Sequence, residues 1–179
     1  MSYKNDIGKA FKFLAKHPDC DFYGIDPGQN VGISKVVVGK VGDDENELKI
    51  TQTYGESITN VSSAIRHLNQ RRYAVLFIEW GTWKRGAHSA AMSAYANPII
   101  AELKKIYGRG TTAVIKVPPN TWQAARLAGM PYDPASKIKK TKQQSINRCI
   151  ADGLIPPESD HIADAYNILQ FGRAELGVK

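Results

Sequence analysis

Two periods alternate along the chain. Short runs dense in β-branched and aromatic residues read as strands, and stretches with apolar residues three or four apart read as helices. Residues up to about 19 predict a first helix, with Ile7, Phe11 and Leu14 recurring among lysines. Residues 21–26 predict a short strand and residues 32–41 a second, carried by Val36, Val37 and Val38. The turn-forming stretch 42–46 and the alternating stretch 48–54 complete a three-strand antiparallel meander. A helix capped by Ser57 or Thr59 and running to about residue 69 presents Val61, Ala64, Ile65 and Leu68. Residues 74–79 form an unbroken apolar run that ends in a charge, the pattern of a strand buried on both faces. A long helix from about 87 to 106 must accommodate Pro98. A second buried strand covers 112–117, and a short helix follows at 121–127. After a loop at 129–138 come two last helices, 141–151 and 160–176.

A meander followed by alternating helices and strands predicts an α/β fold: a five-stranded mixed sheet, with a three-strand antiparallel meander plus two parallel strands, flanked by helices. The division expected is an N-terminal helical extension at 1–19 and one domain at 20–179.

Composition narrows the partner. The formal net charge is +7, which favours a polyanion, because Lys and Arg release counterions from phosphates. No apolar run approaches the roughly 20 residues needed to span a bilayer, so no membrane role is expected. No leader-like apolar stretch follows Met1, and Cys20 and Cys149 are far apart and outside any C-x-x-C spacing. Two buried thiols in a cytoplasmic or other reducing compartment are the expectation, and a zinc site is not.

Candidate chemistry lies in acids that end strands. Asp26 closes the first strand and runs into Pro27-Gly28, Glu79 closes the buried apolar run, and Asp164 lies three residues after His161 on the last helix. Residues three apart share a helix face. Each has a plain structural alternative: Asp-Pro-Gly is a common turn, Glu79 can pair with a lysine, Asp164 can face solvent, and His161 can be a hydrogen-bonded structural histidine. Brought together, the acids repel one another, and a cation relieves that repulsion. Carboxylates without cysteine select a hard ion such as Mg2+ or Mn2+.

Three segments also resemble a known family. Phe22 to Val38 contains Ile25-Asp26-Pro27-Gly28, Leu76 to Glu79 ends in a glutamate, and His161-Ile162-Ala163-Asp164-Ala165 opens a closing helix. Together they resemble RuvC-type Holliday junction resolvases of the RNase H-like superfamily, from about residue 21 to 173. The resemblance implies an RNase H-like fold and two Mg2+ ions, with Mn2+ able to substitute. It also implies a homodimer that nicks four-way DNA junctions symmetrically and leaves 5′ phosphates. It makes Asp26, Glu79, His161 and Asp164 the metal ligands and catalytic set. Asp160 is beside His161 and is placed either to ligate or to cap the helix. Spacing to Asp164 in the family pattern selects His161.

The resemblance further places Trp83 at the junction centre, where an aromatic ring can stack on an unpaired base, with Lys84 and Arg85 along the phosphates. Lys137, Lys139, Lys140 and Lys142 open a helix against its macrodipole, a conflict that a phosphate relieves. Lys142 matches a catalytic lysine of the family, set to steady the cleaved phosphate or the attacking water. Three other functions share parts of this pattern: a nuclease for RNA–DNA hybrid or structured RNA, a non-catalytic branched-DNA-binding protein, and an actin-like ATPase. The last normally needs two such domains, for which the chain is short.

Overall fold

A computed structural model describes residues 3–28, 31–37, 72–81, 87–108, 110–154, 156–157 and 159–178. The elements run α1 (Tyr3–Lys16), β1 (Cys20–Asp26), β2 (Gly32–Val37), β3 (Tyr73–Glu79), α2 (Ala87–Tyr107), β4 (Thr112–Val117), α3 (Pro119–Leu127), α4 (Lys140–Ala151) and α5 (Asp160–Glu175). The sheet order is β2-β1-β3-β4. β1 pairs with β2 antiparallel, whereas β1 with β3 and β3 with β4 are parallel.

Among the described residues the mixed sheet therefore has four strands, not the five expected. The expected turn at 42–46, third meander strand at 48–54 and helix at 57–69 lie outside the described residues. Two starts also differ from expectation. α3 begins at Pro119 rather than 121, because proline suits a first helical turn, where its missing N–H has no partner to lose. α4 begins at Lys140 rather than Thr141. Among the described residues no helix is long and apolar enough to cross a membrane.

The pleat divides the core. On one face Phe22, Val75, Phe77, Ile115 and Val117 pack against Trp122, Ile168, Leu169, Phe171 and Ala10 of α1. On the other, Tyr23, Ile25, Ile33, Leu76 and Ile78 meet Ala96, Ile99, Ile100 and Leu103 of α2. β3 is buried from Ala74 to Ile78, as its continuous apolar run requires. Cys20 and Cys149 are both buried and unpaired.

The second face also encloses charge. Asp21 and Lys35 are essentially inaccessible, and their charged atoms are 3.1 Å apart. Tyr107 donates its hydroxyl to Asp21 Oδ2 at 2.8 Å and meets the Tyr23 hydroxyl at 2.6 Å.

Two glycines set the height of α5 above the sheet. A Cβ on Gly24 would stand 2.1 Å from the Ala165 carbonyl oxygen, and one on Gly32 would stand 1.9 Å from that of His161. Neither residue can carry a side chain unless the helix backbone moves. Gly32 is paired with Asp26, so the first turn of α5 is pressed against the end of β1. Gly32→Ala is expected to destabilise the protein by about 1–3 kcal/mol, the range for overpacking. It should also return the His161 imidazole toward its ordinary pKa as the contact with Asp26 opens. Denaturant melts and an NMR titration of His161 check both.

Candidate metal and nucleic-acid site

Asp26 and Glu79 end neighbouring parallel strands. The register stops at Ile25 opposite Ile78, so the two acids follow it side by side. Each is in phase with residues facing α5: Phe22 and Gly24 on β1, Val75 and Phe77 on β3. The pleat thus puts both carboxylates on the face that α5 covers. From α5, His161 places Nδ1 2.9 Å from Asp26 Oδ2, and Asp164 follows one turn later.

Burial and neighbouring charge act together on these groups. Burial pushes the Glu79 carboxyl up to about 7, the charge of Asp26 adds to the rise, and a hydrogen bond from Trp122 opposes it. Burial likewise holds Asp164 well above the usual carboxylate range. Asp26, Glu79 and Asp160 contribute, and a hydrogen bond with Ser145 opposes. The His161 imidazole is raised by its hydrogen bond to Asp26, against the effect of burial.

Asp160 behaves differently from its neighbour. Although burial alone would raise its pKa, its bond to Lys142 and the nearby His161 hold it below the usual value. Nor does it cap α5: Ser159 is the N-cap, and its hydroxyl accepts from the Ile162 N–H. Lys142 is paired with Asp160 at the mouth of α5. Lys137, Lys139 and Lys140 are exposed. Lys139 is the N-cap of α4 and gives it no side-chain cap, while the Lys140 ammonium lies 4.5 Å from the Tyr132 ring centre. Trp83, Lys84 and Arg85 lie outside the described residues. Trp80 stands beneath Lys116, whose ammonium is 3.3 Å from its ring centre.

Of the layer beneath the acids, the sequence points to Trp122, which follows a buried strand and is expected to pack beneath the site. Its bond to Glu79 was missed, as were Asn167 and Arg126. Trp122 is fully buried and donates Nε1–H to Glu79 Oε2 at 2.8 Å. Asn167, also fully buried, donates to Ser145 Oγ at 3.0 Å and to the Ala163 carbonyl at 2.9 Å. Arg126 donates to Asn167 Oδ1 at 3.3 Å and is paired with Asp152. One signal pointed to Trp122: it follows Pro118-Pro119 at the exit of a buried strand, and that strand borders β3.

Among the described residues, no group of three or more His, Cys, Asp or Glu is gathered closely enough to hold a metal ion as it stands. The donors facing one another at the strand ends are carboxylate oxygens and an imidazole, with both thiols buried elsewhere in the core. That chemistry fits a hard divalent cation, whose charge would offset the burial cost of the Glu79 and Asp164 carboxylates and the repulsion that adds to it.

The sheet order β2-β1-β3-β4 and the helix crossing it form an α/β fold consistent with the RNase H-like one. No protein-family model matches the chain, and no curated protein matches it. Among solved structures it is similar to T. thermophilus RuvC in complex with Holliday junction substrate. The TM-score is 0.52 and the identity 19%, over 88% of this chain and 96% of that one. This likeness shows a RuvC-like fold.

Proposed function

We propose that this chain is a divalent-metal-dependent endonuclease that nicks four-way DNA junctions symmetrically as a homodimer, leaving 5′ phosphates. The observation that carries this reading is the contact of His161 with Asp26, at the end of a RuvC-like sheet where Glu79 closes the neighbouring strand and Asp164 follows one helical turn after His161. These four residues would hold two Mg2+ ions, with Mn2+ substituting. Bound there, such a pair supplies an activated water and charge compensation at the leaving oxygen.

The chain's own residues do the rest. Asp26 and Glu79 are fixed by their strands, and α5 presents His161 and Asp164 from above. Lys137, Lys139, Lys140 and Lys142 would carry phosphate-neutralising charge at the start of α4, with Lys142 restrained by Asp160 of α5. Trp83 would stack at the junction centre, with Lys84 and Arg85 on the adjoining backbone. A reducing compartment suits the two buried free thiols.

Cleavage of a synthetic four-way junction tests the proposal, with linear duplex and RNA–DNA hybrid as controls, in Mg2+ and then in Ca2+. Paired nicks on the junction alone, in Mg2+ but not Ca2+, are expected. Preferential cutting of hybrid would move the function to RNA processing, and junction binding without cutting in Mg2+ or Mn2+ would leave a DNA-binding protein without chemistry.

The different partners of Asp160 and His161 give a second test. Asp160→Asn breaks only a partly exposed ion pair. It should cost no more than about 1 kcal/mol of stability and keep cleavage within about threefold of wild type. His161→Ala removes the group against Asp26 and should lower cleavage by about 10- to 100-fold. Rate measurements on the two variants at saturating Mg2+ separate the residues. The opposite ranking would make Asp160 the working ligand.

A further inference from the structure

Among the described residues, Trp122 is the largest fully buried side chain, and its polar edge points at a carboxylate. An indole has one N–H donor and no acceptor, so a buried one needs an oxygen. Here that oxygen is Glu79 Oε2, 2.8 Å away. Both partners are anchored by backbone. Glu79 is in register with Val117, and the Trp80 N–H donates to the Val117 carbonyl at 2.8 Å, which ties the exits of β3 and β4 together. Directly after β4, the Pro118 carbonyl accepts from Thr121 N at 3.1 Å and Trp122 N at 3.4 Å, closing the first turn of α3. The carboxylate at the end of β3 and the indole in the first turn of α3, directly after β4, are therefore tied together by the pairing of β3 with β4.

We infer that Trp122 is a positioning residue that makes Glu79 a single-oxygen ligand: by occupying Oε2, the indole fixes the carboxylate plane and leaves Oε1 to a divalent cation. This rests on the reading of Glu79 as a cation ligand. Without the N–H, the carboxylate turns freely about its last torsion, and a bound cation must pay to order it. Hydrogen-bond donors behind metal ligands typically set about 10- to 100-fold of metal affinity.

Trp122→Phe keeps most of the buried ring and removes the donor. Calorimetric titration of the DNA-free protein with Mn2+ is expected to show about tenfold weaker binding. The Mg2+ concentration for half-maximal junction cleavage should rise by the same factor, while the rate at saturating Mg2+ stays within about threefold of wild type. Leu127→Ala thins the packing of the same helix without touching Glu79, and should leave Mn2+ affinity unchanged while lowering stability. A spectroscopic arm does not depend on the folding of Trp122→Phe. With Trp80 and Trp83 changed to Phe, Trp122 is the sole indole of the chain's three. Mg2+ should shift its emission, and adding Glu79→Gln should abolish the response. Wild-type Mn2+ affinity in Trp122→Phe, or a Trp122 emission indifferent to Mg2+, overturns the positioning role alone. A wild-type protein that binds no Mn2+ overturns the cation reading of the site, and the inference with it.

Discussion

Glu79→Gln is expected to stabilise the metal-free protein at pH 8 while abolishing cleavage. Glu79 has a folded-state pKa of about 7, against 4.5 for the ordinary group, chiefly because burial disfavours its charge. The folded state therefore holds this proton more tightly than the unfolded state does. Its contribution to stability is fully present below the ordinary value and is lost as pH rises through about 7. His161 acts in the same direction, since its pKa is also raised and its charged pairing with Asp26 is lost as pH rises through the folded value. At pH 8 the ionised Glu79 costs about 3 kcal/mol, as an order of magnitude from the size of the shift. Glutamine removes that charge and can still accept from the indole. Denaturant melts in EDTA at pH 5 and pH 8 should show the gain only at pH 8. Mg2+ should then stabilise wild type more than the variant. Cleavage should fall by about three orders of magnitude or more, about 4 kcal/mol of barrier. A variant no more stable than wild type at pH 8 would mean that the buried Glu79 carboxylate does not carry the desolvation cost that its surroundings imply.

Lys35→Met should have the largest effect on folding. It removes the cation 3.1 Å from Asp21, and that carboxylate is inaccessible to water. Breaking one side of a buried pair typically costs about 3–5 kcal/mol, because the remaining charge keeps its desolvation penalty. Adding Asp21→Asn should recover most of the loss, since the amide oxygen can still accept from Tyr107. The pair is at the start of β1, roughly 16 Å along the strand from Asp26 and on the opposite face of the sheet. Cleavage at a permissive temperature should therefore match wild type. A double-mutant cycle by denaturation measures the coupling, and a loss below about 1 kcal/mol for Lys35→Met would show that the pair is not held dry.

What the sequence made legible depended on local pattern. The apolar run before Glu79 and the acid-then-turn at Asp26 place both residues at strand ends, and three-residue spacing places His161 and Asp164 on one face of α5. The parallel pairing that brings Asp26 beside Glu79 joins segments about fifty positions apart, and only the likeness of the motifs to a known family anticipated it. Trp122 was not legible as a partner of Glu79, because that contact depends on the register between β3 and β4. Gly24 and Gly32 were invisible for a similar reason: the need for a missing side chain arises from α5, far along the chain. Lys142 and Asp160 are eighteen positions apart, so their pairing was equally hidden, whereas the family spacing to Asp164 had already selected His161, the residue that meets Asp26. Pro118-Pro119 reads as a strand terminator, but it also starts α3, since proline can serve either role.

The most direct measurement compares wild type with Asp26→Asn on one labelled four-way junction, recording affinity in Ca2+ and the cleavage rate in Mg2+. Asp26 touches His161 and its charge raises both Glu79 and Asp164, so it is the acid common to all the others. The expected result is junction affinity within a few-fold of wild type and no detectable nicking by the variant. Nicking by Asp26→Asn at the wild-type rate would show that the acids at the strand ends are not where this protein does its chemistry.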